Sequence, residues 1–135
     1  MFNDEMSETL IRRALHAREW AYAPYSNYAV GAALLTSSGR IYEGVNVENA
    51  AYPTTMCAER VAIYKAISEG ERQFVAMAVV TKDGGAPCGS CRQVLAEFGL
   101  DTIVLIANEQ GMLLSEMTVA ELIPHAFSSV SLVAR

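Results

Sequence analysis

Two short segments carry side chains that can do chemistry together. Thr55-Met56-Cys57-Ala58-Glu59-Arg60 and Pro87-Cys88-Gly89-Ser90-Cys91-Arg92 supply three thiols and one carboxylate. Three thiolates suit a catalytic zinc ion, because catalytic sites commonly use three protein ligands and keep a fourth position open for water, whereas structural sites close the tetrahedron with four. Cys57, Cys88 and Cys91 are the only cysteines, so no fourth sulfur is available within one chain. Glu59 stands two residues from Cys57, where a carboxylate can handle protons beside a metal-bound water. Three thiolates leave a zinc site with a net negative charge and make the ion a weaker Lewis acid. Arg60 and Arg92, each next to a ligand cysteine, are candidates to donate hydrogen bonds to the sulfurs. For Arg60 that role is preferred to a solvated helix charge; for Arg92 both readings stand.

The elements that must position these groups are legible from periodicity. Over residues 7–22, Leu10, Ile11, Ala14, Leu15, Ala17, Ala21 and Tyr22 fall largely on one helical face, which predicts a surface helix ended by Ala23-Pro24-Tyr25-Ser26-Asn27. The apolar run 28–35 reads as a buried strand, Ser37-Ser38-Gly39 as a turn, and 40–47 as the second strand of a hairpin. Helical spacing returns over 57–69, with Cys57 opening the helix and Gly70 ending it. A buried strand over 74–81, a Gly-Pro loop and a helix over 88–98 follow, with Cys88 and Cys91 in the first turn of that helix. Strands over 102–107 and 112–116 are joined by four residues, too few for a helical crossover, so they pair antiparallel. A short helix near 119–123 precedes the tail. This order predicts an α/β fold with a mixed five-stranded sheet covered by helices, over residues 1–135 as one domain. Both cysteine segments run from loop into helix, where the helix N-terminus lowers a thiol pKa and favours an anion.

Composition narrows the partners. A net charge of -5 with ten dispersed basic residues argues against a polyanion partner and for a small substrate. Hydrophobic residues at 52% exclude a disordered chain, yet no apolar stretch is long enough to span a bilayer. The first five residues are acidic rather than basic-then-apolar, so a secretory leader is not expected; three cysteines, two in a Cys-x-x-Cys spacing, fit a reducing, cytoplasmic setting.

Cys-x-x-Cys alone is shared by redox proteins and structural zinc sites. Joined to Cys57-Ala58-Glu59, the sequence Pro87-Cys88-Gly89-Ser90-Cys91 follows the pattern of zinc-dependent nucleobase deaminases. With Asn46-Val47-Glu48-Asn49-Ala50-Ala51-Tyr52, and with matching stretches from Tyr22-Ala23-Pro24-Tyr25-Ser26 to Pro124-His125-Ala126-Phe127-Ser128-Ser129, the chain resembles the free-nucleoside cytidine deaminases along nearly its whole length. Its short length and three-cysteine ligand set are similar to the homotetrameric branch.

The resemblance implies a three-layer α/β/α domain that uses Zn2+, held by Cys57, Cys88 and Cys91, to deaminate cytidine and 2'-deoxycytidine in pyrimidine salvage. It implies Glu59 as the proton shuttle and ligand for the ring nitrogen, Asn46 and Glu48 on the ribose hydroxyls, and the Ala58 backbone on the pyrimidine carbonyl. Ala50, Tyr52 and Phe127 would reach the nucleoside from neighbouring subunits. Tyr28 stands where related enzymes usually carry a phenylalanine against the base, and its hydroxyl needs a partner when buried. His16 and His125 read as surface or packing residues.

Three competing readings are distinguishable. A blasticidin-type nucleoside deaminase shares the zinc chemistry, but Asn46, Glu48 and Phe127 favour the ordinary nucleoside. A polynucleotide deaminase lacks the basic, aromatic strand-binding stretch it needs. A noncatalytic zinc module needs a fourth ligand from His16, His125, Glu59 or another chain.

Overall fold

Apolar side chains on both faces of the central strands call for helices on both sides of one sheet. The computed structural model describes residues 2–133; Met1, Ala134 and Arg135 of the expected 1–135 domain lie outside the described residues. Helix α1 (Asp4–Ala17) leads through a 3-10 turn, Arg18–Trp20, to strands β1 (Gly31–Thr36) and β2 (Ile41–Val45). Then come α2 (Ala58–Ser68), β3 (Phe74–Val80), α3 (Gly89–Phe98), β4 (Ile103–Ala107), β5 (Leu113–Thr118), α4 (Val119–Leu122) and α5 (Ser129–Val133). The strands lie in the order β2-β1-β3-β4-β5, parallel only between β3 and β4.

Alternation along the strands divides the interior in two. Ala33 and Leu35 of β1, with Ala76, Ala78 and Val80 of β3, face Leu10, Ile11 and Ala14 of α1. Ala32, Leu34, Met77 and Val79 point the other way, against Ala58, Ala62 and Ile63 of α2 and Leu95 of α3. The sheet is therefore the middle of three layers, and every residue of β1 is buried because both of its faces are covered.

Pairing also explains how two distant loops come to one place. Val45, the last residue of β2, and Val80, the last residue of β3, both sit opposite Gly31 at the start of β1. The loops that leave them run to the N-termini of α2 and α3, so both cysteine segments return to the same end of the sheet.

Local differences from the sequence reading have local causes. Helix α1 starts at Asp4 because the Asn3 side chain accepts a hydrogen bond from the Met6 N–H at 3.0 Å. It stops short of Tyr22 because the Tyr22 N–H and C=O pair with Asn46 and Glu48, each at 2.9 Å. Strand β1 opens at Gly31 rather than Tyr28, since residues 28–30 are held by the Asn46 side chain instead of a strand ladder. The tail contains a helix, α5, that its sequence did not signal.

Close packing of α2 on β2 depends on Gly44. A Cβ there would lie 2.4 Å from the Ala58 carbonyl oxygen and 2.6 Å from the Ala62 nitrogen, main-chain atoms that no rotamer change can move. Gly44→Ala is expected to cost about 2–3 kcal/mol, lowering the midpoint of thermal unfolding by roughly 10 °C. Unchanged thermal unfolding in the variant would show that α2 is not seated this closely.

Candidate metal centre and adjoining pocket

The two helices that carry the cysteines begin alike. Cys57 is the N-cap of α2 and Cys88 the N-cap of α3, both in extended backbone and neither using its side chain to cap. Their sulfurs are thus free to point outward, at the positive ends of two helix dipoles. Cys91, one turn into α3, is fully buried. The three Sγ atoms lie within 4.8 Å of one another, and those of Cys57 and Cys88 are 3.7 Å apart. Two thiolates on a tetrahedral zinc, each about 2.3 Å from the ion, stand about 3.8 Å apart. The donor set therefore fits zinc in both chemistry and spacing.

Charge around the sulfurs is compensated from one side. Arg60 Nη2 donates to Cys57 Sγ at 3.3 Å. Hydrogen bonding from Cys91 and Arg60 pulls the Cys57 thiol down to about 5, while its bond to Cys57 and burial push Cys91 upward. The guanidinium of Arg60 is raised in turn, mainly by its bond to Cys57. Arg92 does something else: Nε donates to the Pro87 carbonyl at 2.8 Å and Nη1 to the Leu122 carbonyl at 2.7 Å. It fastens the loop before Cys88 to α4, a structural tie that is neither the sulfur bond nor the solvated charge of its two sequence readings.

Glu59 is 4% exposed, and burial pushes its carboxyl up to about 7 against the opposing pull of its own backbone N–H. It lines a cavity of about 270 Å3 whose wall also includes Cys57, Cys88, Ser26, Asn46 and Glu48. Thiols, a buried carboxyl and polar side chains in one cavity suit a small molecule that carries both a reacting group and hydroxyls. A larger groove of about 440 Å3, between α1 and β5, gathers Asp4, Glu8 and Glu116 but no thiol.

The polar side chains of the wall are preorganised by bonds to the chain itself. Asn46 Nδ2 donates to the Tyr28 carbonyl at 2.8 Å, and its Oδ1 accepts from the Val30 N–H at 2.9 Å. Glu48 accepts from the N–H groups of Tyr25 and Ser26, at 2.9 and 3.1 Å, and from the Ser26 hydroxyl. These bonds, the Ser26 hydroxyl foremost, hold the Glu48 carboxyl below the usual carboxylate range. Tyr28 forms part of the cavity wall and donates its hydroxyl to Asp83 Oδ1 at 2.8 Å. Ala58, fully buried, brings its backbone to the same cavity.

Ala50, Tyr52 and Phe127 do not line this cavity. Tyr52 is 72% exposed and stands edge-on to Tyr25, with ring centroids 6.0 Å apart, in a shallow cleft beside Glu48. Phe127 is 56% exposed, and its carbonyl accepts from Gln93 Nε2 at 2.8 Å. His16 and His125 are also away from the cavity; His16 faces Glu19 at 3.9 Å, and His125 occupies a left-handed turn at φ 56°. Sequence reading passed over Ser26, Thr81 and Asp83. The only signal for Ser26 was a small polar residue two positions before the first buried run, and nothing local marked the other two.

Comparison with known proteins gives one consistent answer. Residues 4–107 match the family model described as the cytidine and deoxycytidylate deaminase zinc-binding region. The chain is 53% identical over 125 residues to the cytidine deaminase of Halalkalibacterium halodurans, covering 90% of this chain and 94% of that protein. A crystal structure of cytidine deaminase from Burkholderia pseudomallei superposes with a TM-score of 0.85 at 45% identity, covering 93% of this chain and 100% of that one. The blasticidin-S deaminase of Bacillus cereus is more distant, 33% identical over 109 residues, with 73% and 76% of the two chains covered.

Proposed function

We propose, since the chain belongs to the cytidine and deoxycytidylate deaminase family, that it hydrolyses cytidine and 2'-deoxycytidine to uridine and 2'-deoxyuridine with release of ammonia. One water is consumed: a C–O bond forms at C4 of the base, the C4–N bond breaks, and the amine leaves as ammonia. The observation that carries this reading is a buried carboxylate, Glu59, in the wall of one cavity with Asn46, Glu48 and two of three converging sulfurs. Zinc held by Cys57, Cys88 and Cys91 supplies Lewis-acid activation of water.

The chain's own residues do the rest. Glu59 takes a proton from the attacking water and delivers it to the ring nitrogen and the departing amine; its burial keeps bulk water from intercepting that proton. Arg60 offsets thiolate charge through its bond to Cys57. Asn46 and Glu48 hold the ribose hydroxyls and the Ala58 backbone meets the pyrimidine carbonyl, a reading supported by their places in the cavity. The Tyr28 ring packs on the base with its hydroxyl already engaged by Asp83.

We further propose a homotetramer in which Ala50, Tyr52 and Phe127 complete neighbouring pockets. Support comes from the exposure of Tyr52, Phe127, Val130 and Leu132, apolar surface that a single chain leaves in water. The single domain would act in pyrimidine salvage in the cytoplasm, on a free nucleoside rather than a nucleic acid or a membrane substrate. In keeping with this, the charge is acidic and, among the described residues, no helix is long and apolar enough to cross a membrane.

The test is the ultraviolet absorbance change when zinc-loaded protein meets cytidine or deoxycytidine. Turnover of both supports the assignment. If both remain intact while blasticidin S is deaminated, the antibiotic-type activity replaces it. If none of the three reacts with zinc bound, the noncatalytic zinc module is the better reading.

A further inference from the structure

We infer that Asp83 is a positioning residue for the nucleobase end of the pocket, acting through Tyr28. This rests on the deaminase reading above. Residues 81–87 link β3 to the cap of α3, and Thr81, Gly85 and Ala86 form cavity wall directly ahead of the ligand Cys88. A glycine pair in such a segment has little conformational preference of its own. What orders it is a chain of hydrogen bonds that ends on the pocket's aromatic wall. The Gly84 and Gly85 N–H groups both donate to Thr81 Oγ1 at 2.8 Å, Thr81 donates to Asp83 Oδ1 at 3.5 Å, and the Tyr28 hydroxyl donates to the same oxygen at 2.8 Å.

Donors and acceptors balance along this chain. The Thr81 oxygen receives two N–H groups and gives its one proton to Asp83, which receives a second proton from Tyr28. Linked bonds of this kind strengthen one another, so loss of the shared acceptor loosens both ends. Packing is close as well: a Cβ on Gly85 would lie 2.6 Å from the Tyr28 hydroxyl. Tyr28 and Asp83 are fifty-five residues apart in sequence, and Tyr28 comes from the approach to β1, whose first residue, Gly31, pairs with Val80 at the end of β3. The pair thus ties the approach to β1 to the loop that leaves β3 at one edge of the pocket. Held this way, the ring stays in the cavity wall while its hydroxyl is engaged by the loop, which answers how a tyrosine can stand where a phenylalanine is usual.

Because the tie sets the shape of the binding wall and touches no reacting atom, its loss weakens ground-state and transition-state binding alike. Asp83→Ala and Tyr28→Phe are each expected to raise KM for cytidine by about five- to tenfold, the range of one lost hydrogen bond, with kcat within about twofold of wild type. Three further readouts separate this from a general stability effect. The double variant should match either single one, since both remove the same bond. Asp83→Asn, which keeps an acceptor oxygen, should recover most of the KM. Amide hydrogen exchange at Gly84 and Gly85 should accelerate in Asp83→Ala while exchange in β1 and β3 is unchanged. Additive KM changes, a fall in kcat at constant KM, or a lower unfolding temperature with normal KM would each overturn the inference. Such outcomes leave the deaminase reading intact, because that stands or falls on turnover by the wild-type protein.

Discussion

Glu59→Gln is expected to lower kcat on cytidine by about 10²–10⁴-fold, the range for losing a positioned general acid–base, while leaving zinc content unchanged. Glutamine has nearly the same shape as glutamate, so the buried space around residue 59 stays filled and α2 keeps its register. What disappears is a group that can take and return a proton. The substitution should also leave the unfolding temperature equal to wild type or higher. A carboxylate that is 4% exposed is held against its preference for water, and the neutral amide has less solvation to lose. Zinc analysis on the same samples interprets the kinetics. Lost zinc together with lost turnover would make Glu59 a holder of the metal, and activity within about tenfold of wild type would assign the proton transfer to another group.

Removing the metal should have the second largest effect. Treatment with a strong chelator is expected to abolish turnover, and re-addition of zinc to restore it. Neither of the two hydrophobic cores on either side of the sheet includes Cys57, Cys88 or Cys91, so the apo chain should keep its helix and strand signal in circular dichroism. Stability should still fall. A ligand present at a thousandfold its Kd contributes about 4 kcal/mol, which at this chain length is roughly 10–20 °C in unfolding temperature. Cys88→Ala isolates that contribution better than Cys91→Ala. Cys88 is exposed, so its truncation opens no cavity, whereas loss of the fully buried Cys91 would add a packing defect to the lost ligand. If Cys88→Ala keeps both zinc and activity, the ligand set is not the three cysteines.

Much of this site was readable from local spacing. Helix N-termini at 57 and 88 followed from loop residues meeting helical periodicity, and the structure places Cys57 and Cys88 as the N-caps of α2 and α3. Strands β1, β3 and β4 were readable because covering both faces makes them continuous apolar runs, and β2 and β5 because short turns join them to β1 and β4. Their ends were not. Tyr22 and Tyr28 look like helix and strand by composition, yet their backbones are taken by Asn46 and its neighbours, which no local pattern announces. Arg92 is similar: adjacency suggested a sulfur, but its partners are the carbonyls of Pro87 and Leu122, and Leu122 lies thirty residues away. Tyr52 and Phe127 carry an expected role that a single chain cannot display, since both lie outside its own cavity.

By itself the sequence determined which chemistry is available. Cys57 and Glu59, or Cys88 and Cys91, are two or three residues apart, and covalent geometry in a first helical turn leaves them little choice but to work as neighbours. Only the tertiary structure decided that these pairs share one site. Cys57 and Cys88 are thirty-one residues apart and meet at 3.7 Å because β2 and β3 flank β1 in the same direction, with Val45 and Val80 both opposite Gly31. Strand order is set by which faces bury together across the whole chain, and a hydrophobic period marks that a strand exists without naming its neighbour. The same holds for Tyr28 and Asp83, whose bond exists only because the sheet brings the approach to β1 and the exit from β3 to one edge of the pocket.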